Sequence, residues 1–431
     1  MTVNEATWQF VDEHLKDDVR QLALKKSKYT EIDFEFALQQ IQGRQKTRDK
    51  LPTIGSIPRF VFPPSLALEQ CSSEVTARYK SSIIHNFFYG ELERNVSTVN
   101  LPDTCCPDVP WRVSAENVPS CGKTMADLTG GFGIDTLFLS PSFETCHYVE
   151  PQQQLCDILS HNLQLLKKDN VRVHQETMEH FIENMDAVDL LYLDPSRRDT
   201  TGRRVVGMED CVPNILLYKD LLLKKARRVL LKLSPMLDLK RSLAQLPQTS
   251  EVHVLAVNGE CKELLLMMEK EPAVPVRYYA VNFVKEQMLS FVFTADEEEQ
   301  ALPEFTAGVD AYLYEPNAAI MKAGAFKCVA NRFKLKKLHP HSHLYTSDRF
   351  MPDFPGRVFQ VREFIPYHEA RKVWKNLRKA NVAVRNFPLT VDQLKKNLKL
   401  ADGGEVYVFA TTFENGQKVL ISCRKEINTN S

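Results

Sequence analysis

The sequence of 431 residues lacks any run of 18 apolar residues, so a membrane-spanning helix and a membrane partner are not expected. Its first ten residues contain neither a basic nor an apolar segment, so a secretory signal peptide is not predicted. The ten cysteines form no CxxC pair, which argues against a disulfide framework. These absences predict a cytoplasmic protein with reduced thiols.

The sequence also lacks net charge, because 55 Lys and Arg residues balance 55 Asp and Glu residues. The balance is uneven. Residues 321–400 contain 18 Lys or Arg against 5 Asp or Glu, an excess of 13 positive charges, and the acidic run 296–299 offsets part of it. A basic C-terminal third suggests a polyanionic partner such as nucleic acid. The alternative is a solvated surface of ordinary Lys-rich helices.

Changes in composition predict several domains along the chain. Residues 1–95 place apolar side chains at helical spacing, and a connector rich in Pro, Cys and Ser follows at 96–122. Short apolar runs then alternate with helical segments up to residue 268, which is the pattern of an α/β sheet. Two small α+β modules are expected after residue 272. The predicted domains are 1–95, 96–272, 273–345 and 346–431.

Seven strands are predicted in the second of these domains. Only five residues separate the last two strands, too few for a crossover helix, so we expect them to pair antiparallel. Five parallel strands followed by a closing hairpin are typical of the Rossmann-like sheet of class I methyltransferases and differ from the dehydrogenase layout. The predicted strands are 124–128, 145–150, 171–176, 188–193, 227–233, 251–257 and 263–268.

A glycine-rich loop follows the first predicted strand, which ends in Asp127. Glycine is needed there because a side chain would keep a ligand away from the backbone. A nicotinamide fingerprint starting at Gly131 would require glycine where Thr136 stands, so that interpretation fails. A carboxylate at the strand end suits the ammonium group of S-adenosylmethionine (SAM). The expected cofactor contacts in this loop are Asp127, Thr129, Gly131, Phe132 and Gly133.

Acidic residues also stand at the ends of the next two predicted strands. Glu150 follows Asp127 by 23 residues, a spacing that suits hydrogen bonds from both ribose hydroxyl groups. Glu176 is placed to accept a hydrogen bond from the adenine amino group. The carboxyl ends of parallel strands share one edge of the sheet, where such folds bind ligands. The expected cofactor contacts at this edge are Glu150, Pro151, Glu176 and Thr177.

The fourth predicted strand ends in Asp194-Pro195-Ser196-Arg197-Arg198. Nucleic-acid and amide methyltransferases resemble this with an Asp/Asn-Pro-Pro motif beside the transferred methyl group. Methyl transfer needs alignment and desolvation more than acid–base chemistry, and Asp194 is expected to contact both cofactor and acceptor. The predicted catalytic residues are Asp194, Pro195, Ser196 and Arg197. Arg198 is predicted to hold a substrate phosphate, with plain surface charge as the alternative for both arginines.

The acceptor atom is constrained by what the motifs lack. Ser196 replaces the second proline, and no aromatic residue follows to stack a flipped adenine. Methylation at C5 of a pyrimidine needs a nucleophilic cysteine, yet the fifth predicted strand ends in Lys232-Leu233-Ser234-Pro235, and Cys211 lies outside that register. We therefore expect a nitrogen or oxygen acceptor.

Six segments together resemble one family of bacterial class I SAM-dependent methyltransferases, which carry a ferredoxin-like insert and a C-terminal THUMP-like domain. The resemblance covers nearly the whole chain and implies SAM as the cofactor. Because THUMP domains bind structured RNA, it also implies an RNA partner such as tRNA or rRNA. The resemblance does not name the substrate. The segments are 68–73, 127–133, 194–198, 314–319, 353–357 and 403–404.

Three further features leave alternatives open. Residues 70–73 either contact the methionine end of SAM or simply cap a helix through Ser72 or Ser73. His339, His341 and His343 alternate and could bind a metal from one strand face, but Pro340 favours an exposed loop facing RNA, and no metal is predicted. A predicted helix at 367–380 would place Lys375 and Arg378 on one face as contacts to RNA phosphates.

Three functions therefore compete. The preferred one is an RNA methyltransferase, since the basic C-terminal third suits RNA and the three carboxylates Asp127, Glu150 and Asp194 suit an enzyme. The second is a small-molecule methyltransferase whose C-terminal modules close the pocket. The third is a non-catalytic RNA-binding protein that keeps SAM as a structural ligand.

Overall fold

The computed structural model describes residues 3–89, 122–196, 207–272, 274–285 and 287–426. Contacts divide the chain into two compact units. The first contains the N-terminal helices and the chain up to residue 250, together with residues 263–272. The second contains residues 251–262 and the described chain after residue 273.

The first unit begins with six helices. Side chains of Asn4, Asp18 and Asp33 accept hydrogen bonds from backbone N–H groups in the first turns of three of them, so polar caps set where these helices start. Apolar faces of the helices pack into a core that also includes Phe60 and Phe62. The helices are α1 (Glu5–Glu13), α2 (Val19–Ala23), α3 (Phe34–Thr47), α4 (Pro52–Gly55), α5 (Ser65–Gln70) and α6 (Glu74–Tyr89).

Strands and helices then alternate, as the sequence predicts. In chain order they are β1 (Gly122–Asp127), α7 (Ile134–Leu139), β2 (Phe143–Val149), α8 (Gln153–Leu166), β3 (Val171–His174), α9 (Met178–Asn184), β4 (Val188–Leu193), α10 (Ile215–Lys225), β5 (Ala226–Leu233), α11 (Leu239–Gln245), β6 (Thr249–Val257) and β7 (Glu260–Met268).

The sheet of the first unit has the order β3-β2-β1-β4-β5-β7. Its first five strands are parallel, and β7 runs antiparallel to β5. The direction of winding reverses between β1 and β4, and the carboxyl ends of strands at such a point form a ligand-binding crevice. The predicted Rossmann-like α/β sheet of class I methyltransferases is confirmed.

The N-terminal helical region is tied to this sheet by a buried amide. Asn162 on α8 donates to the carbonyl of Val61 and accepts from its N–H, both at 2.9 Å. Because Asn162 is fully buried, both bonds form away from competing water. The helical region therefore shares one core with the helices that flank the sheet.

The second unit contains β6, paired in parallel with a hairpin, and a separate seven-stranded sheet. The remaining elements are β8 (Arg277–Val284), β9 (Gln287–Thr294), α12 (Ala295–Gln300), β10 (Tyr312–Pro316), α13 (Ala318–Ala323), α14 (Cys328–Phe333), β11 (Lys336–Lys337), β12 (Tyr345–Ser347), β13 (Gly356–Pro366), α15 (Ala370–Val373), β14 (Asn381–Val384), α16 (Val391–Leu398), β15 (Val406–Thr412) and β16 (Lys418–Lys425). The larger sheet has the order β11-β12-β10-β13-β16-β15-β14.

The predicted helix at 367–380 is wrong, because α15 ends at Val373. The Trp374 indole is buried and donates to the Glu363 carboxylate at 2.7 Å, and Arg378 then accepts a backbone hydrogen bond from Ala401. Packing and β-type pairing thus replace the helix. Lys375 and Arg378 are both exposed, but Lys375 lies in a turn and Arg378 beyond it, so no helix face joins them.

The described residues contain no candidate membrane span and no candidate metal site. None of their helices combines the length and apolar character needed to cross a bilayer. Within the same residues, no group of three metal-ligating side chains converges. The His343 ring stacks on Phe326 instead of joining His339 and His341, and burial lowers its pKa to about 4.

Candidate active site

The glycine-rich loop after β1 is held in place by hydrogen bonds to the Asp127 carboxylate. One carboxylate oxygen accepts from the Thr129 N–H at 3.1 Å, and the other accepts from the Thr136 hydroxyl at 2.6 Å. Burial raises the pKa of Asp127 to about 7. Asp127 thus holds the shape of the loop, and its direct contact with the cofactor stays a prediction.

Neighbouring glycines of this loop have different structural roles. A Cβ atom on Gly130 would lie 2.1 Å from the Tyr148 ring, so packing excludes a side chain there. Gly131 has a φ of +53°, and the nearest atom to a Cβ at that position is the Thr129 carbonyl oxygen at 3.8 Å. Open space therefore lies beside the Gly131 backbone, which a ligand could approach closely.

Phe132 and Gly133, which are also predicted to contact the cofactor, pack against neighbouring side chains of the protein. The Phe132 ring packs against Phe60 and Phe62, with 6.1 Å between ring centroids in each case. A Cβ on Gly133 would lie 2.6 Å from the Leu159 side chain. Phe132 and Gly133 can therefore contact a ligand only through backbone atoms.

Glu150 connects the end of β2 to the same loop. One of its carboxylate oxygens accepts from the Gly131 N–H at 2.9 Å, and the other accepts from the Gln152 N–H at 3.0 Å. A carboxylate has about four acceptor sites, so about two remain for hydroxyl groups of a ligand. Pro151 follows on the surface.

The end of β3 carries a second acidic position. The Glu176 carboxylate is half-buried and pairs with the His180 ring. The Thr177 side chain accepts from the His180 N–H at 3.4 Å and caps α9. These contacts hold Glu176 at the carboxyl edge of the sheet, while its predicted contact with adenine stays a prediction.

Asp194 stands at the end of β4 beside the glycine-rich loop. Its N–H donates to the Thr129 hydroxyl oxygen at 2.6 Å, and its carboxylate accepts from the Lys232 ammonium at 2.5 Å. The Asp194 side chain remains 34% exposed. Partial burial raises the pKa of Asp194, although Lys232 opposes the rise. The carboxylate is therefore both anchored and accessible.

The residues that follow Asp194 are only partly described. Pro195 is buried and Ser196 is exposed. The Ser196 backbone exchanges two hydrogen bonds with Val212, at 2.8 and 2.9 Å. The predicted roles of Arg197 and Arg198 lie outside the described residues.

Behind Asp194 lies a buried charge network formed by Ser72, Lys80, Asp135, Tyr192, Lys232 and Glu263. The fully buried ammonium of Lys80 donates to the Ser72 hydroxyl at 2.9 Å and to the Glu263 carboxylate at 2.6 Å, and it lies 3.1 Å from Asp135. Lys232 also donates to the Ser72 hydroxyl, at 3.1 Å. Ser72 therefore joins the two lysines.

Asp135 is the acceptor at the centre of this network. Hydroxyl groups of Ser72 and Tyr192 donate to one of its oxygens at 2.7 and 2.6 Å. Burial would raise the pKa of Asp135, but Lys80 and Lys232, together with the hydrogen bonds from Tyr192 and Ser72, lower it below its usual range. In the same way burial opposes the charge of Lys232, while Asp194, Glu263 and Asp135 raise its pKa. The charges stabilise one another.

The sequence predicted Asp194 as a site residue but none of the six residues of this network, apart from the open alternatives at Ser72 and Ser73. Ser73 proves to be the helix cap, since its hydroxyl accepts from the Thr76 N–H at 3.4 Å. A signal for the network was present. Lys232 interrupts the apolar run 229–233, and Lys80 lies among buried residues of α6. Buried charges need partners, but no local pattern indicated which ones.

The chain is similar to several known proteins and protein families. Residues 312–355 match the model of a ferredoxin-like domain, and residues 356–425 match that of a THUMP domain-like family. A crystal structure of a candidate methyltransferase from Porphyromonas gingivalis W83 is 32% identical to this chain with a TM-score of 0.80. The aligned region covers 99% of this chain and 100% of the Porphyromonas gingivalis protein. The protein belongs to this family of class I SAM-dependent methyltransferases.

Relatives in two strains of Mycobacterium tuberculosis are more distant. They are uncharacterised S-adenosylmethionine-dependent methyltransferases, 25% identical over 235 residues. The aligned region is 54% of this chain and 62% of the mycobacterial proteins, so the match spans less than two thirds of their length. The predicted family resemblance and the predicted cofactor are confirmed.

The geometry of three residues in the site of this methyltransferase suits SAM. Open space beside Gly131 allows the cofactor to lie against the loop backbone. The remaining acceptor sites of Glu150 suit ribose hydroxyl groups. The accessible carboxylate of Asp194 stands at the same edge of the sheet.

We predict that SAM binds with a dissociation constant in the micromolar range, and that Glu150→Ala weakens binding by about 1.5–3 kcal/mol. The reason is the loss of charge-assisted hydrogen bonds to the ligand and to the loop. Isothermal titration calorimetry measures both, and Glu183→Ala, an exposed site on α9, serves as the control. Binding of NAD, with no binding of SAM or S-adenosylhomocysteine, would contradict the cofactor assignment.

Proposed function

We propose that the protein transfers the methyl group of SAM to a nitrogen or oxygen atom of an RNA nucleotide. The supporting observation is the position of Asp194, which is bound to the glycine-rich loop through Thr129 and keeps its carboxylate accessible. Bound SAM supplies an electrophilic methyl group. A carboxylate fixed at that point is suited to orient the acceptor atom toward it.

In this proposal the residues around Asp194 prepare the acceptor. Lys232 holds the Asp194 carboxylate through a 2.5 Å contact, so Asp194 can accept a hydrogen bond or a proton from an amine or hydroxyl group. Ser234 follows β5 where a pyrimidine C5 enzyme would need a cysteine, which favours a nitrogen or oxygen acceptor. Pro195, Ser196 and Arg197 are proposed to shape the acceptor pocket, and Arg198 to hold a phosphate.

RNA is proposed as the substrate because of the C-terminal part of the chain. Residues 356–425 match a THUMP-like domain, and residues 321–400 carry the excess of 13 positive charges. Phosphate groups of RNA neutralise such an excess and release counterions. We propose that the predicted modules 273–345 and 346–431 together provide the RNA-binding part.

The experiment that tests the proposal compares modified nucleosides by mass spectrometry in tRNA and rRNA from a deletion strain and its parent. A methylated nucleoside missing from the deletion strain identifies the substrate. Purified protein should then restore that nucleoside in RNA from the deletion strain when SAM is added. If every nucleoside is retained and no labelled methyl group reaches RNA, a small-molecule acceptor replaces RNA in the proposal.

A separate prediction concerns two exposed basic residues of the C-terminal part. Lys375→Ala combined with Arg378→Ala should weaken RNA binding and lower the slope of log affinity against log salt by about two, because two phosphate contacts are lost. Filter binding at several salt concentrations measures this, and SAM affinity should not change. Arg20→Ala with Lys25→Ala, two exposed positions in the N-terminal region, removes the same charge as a control. Equal RNA affinity for both pairs would remove Lys375 and Arg378 from the RNA-binding surface.

A further inference from the structure

Within the second unit, one buried carboxylate holds two arginine side chains. Glu315 lies on β10 directly opposite Arg357 on β13, and Arg385 follows the end of β14. The Arg357 Nε atom donates to Glu315 Oε2 at 2.8 Å, with a second contact from its Nη2 atom. The Arg385 Nη2 atom donates to Glu315 Oε1 at 2.6 Å. We call Arg357, Arg385 and Glu315 the arginine clamp.

The arginine clamp has more positive charge and more donors than Glu315 can satisfy. Two guanidinium groups share one carboxylate, which leaves one net positive charge. Each guanidinium carries five N–H donors, while the described contacts use two on Arg357 and two on Arg385, the second of these to the Val384 carbonyl. The side chains of Arg357 and Arg385 remain 45% and 38% exposed, whereas that of Glu315 is 7% exposed. Guanidinium N–H donors of both arginines are therefore exposed to solvent, while the buried Glu315 carboxylate holds the two side chains in place.

The surface beside Arg385 is also polar, and Glu315 is the carboxylate that the described hydrogen bonds and ion pairs give to Arg385, while Glu414 acts on the pKa of the nearby His339. Asn386 is exposed, and its side-chain amide lies 3.0 Å from the His339 ring. Arg385 also contributes to the lowered pKa of His343, after burial, Lys337 and His341. Apart from Glu315 and the exposed Glu414, the side chains grouped here are cationic or neutral, which suits an anion rather than a cation.

We propose that the arginine clamp binds a phosphate group of the RNA backbone. This inference rests on the proposed RNA substrate and names a contact point for it. Planar guanidinium groups bind phosphate oxygens in pairs. Because Glu315 already holds both arginines in place, little side-chain freedom is lost when the phosphate binds.

The test measures binding of a fluorescently labelled RNA to the full-length protein at several salt concentrations. Arg357→Gln with Arg385→Gln should weaken binding by about tenfold or more and lower the salt slope by about two. The matched control, Arg362→Gln with Lys418→Gln, removes two exposed positive charges from the neighbouring strands β13 and β16. It should change the affinity much less.

A second variant protects the test against loss of folding, because the first leaves the Glu315 carboxylate buried without a partner. Glu315→Gln added to both arginine substitutions removes that charge, and circular dichroism identifies the folded variants. Arg357→Lys with Arg385→Lys keeps the charge but loses the paired donors, so its RNA affinity should fall between those of the wild type and the Gln variant.

The outcomes separate this inference from the proposed function. If the wild-type protein does not bind RNA even at low salt, the RNA substrate is wrong and the clamp assignment falls with it. If the wild type binds RNA and the folded clamp variants bind it equally well, the arginine clamp is structural only. Inorganic phosphate is the second probe. Loss of stabilisation by phosphate in the clamp variants, with RNA affinity retained, would assign the site to a small anion instead.

Discussion

Asp194→Ala is expected to lower methyl transfer by about 10²- to 10⁴-fold while SAM affinity stays nearly unchanged. The substitution removes the accessible carboxylate, but the backbone N–H that donates to Thr129 remains. The open space beside Gly131 and the acceptor sites of Glu150 remain as well. The loss should therefore appear in turnover rather than in cofactor binding.

Two variants sharpen this measurement. Asp194→Asn keeps the shape of the side chain and removes its charge, so a loss as large as that of the Ala variant assigns the effect to charge. Asp186→Ala, an exposed position just before β4, is the control and should transfer methyl groups like the wild type. Single-turnover transfer of labelled methyl groups gives the rate, and calorimetry gives the SAM affinity. If both Asp194 variants transfer methyl groups at the wild-type rate, Asp194 is not a catalytic residue.

Lys80→Met is expected to lower the free energy of unfolding by about 3–5 kcal/mol, the cost of leaving buried charges without their partner. Lys80 is fully buried and contacts both Glu263 and Asp135, at 2.6 and 3.1 Å. Removing its ammonium leaves these two carboxylates near each other with less compensation. Urea unfolding followed by circular dichroism measures the change.

A double variant tests whether charge is the cause. Glu263→Gln added to Lys80→Met removes one of the uncompensated carboxylates, so the double variant should be more stable than Lys80→Met alone. Lys16→Met replaces an exposed lysine and should leave stability nearly unchanged. If Lys80→Met unfolds at the same urea concentration as the wild type, the charge network contributes little to the fold.

Local patterns were sufficient for the sheet and for the cofactor loop. Short apolar runs predict the strands that Asp127 ends and that Glu150 and Asp194 directly follow, and glycine spacing identifies the turn into α7. These features depend on backbone conformation and on residues close in sequence, which the order of amino acids expresses directly. The short connection before β7 predicted a closing hairpin, and β7 runs antiparallel to β5.

Long-range packing decided the rest, because side chains distant in sequence carry no mark of their partners. Lys80 meets Glu263 across 183 residues, and Glu315 meets Arg385 across 70. Each charge is visible in the sequence, but its partner is set by how helices and strands pack. The same reason ends α15 early, since Trp374 is held by Glu363 on β13 where local propensity favoured a longer helix.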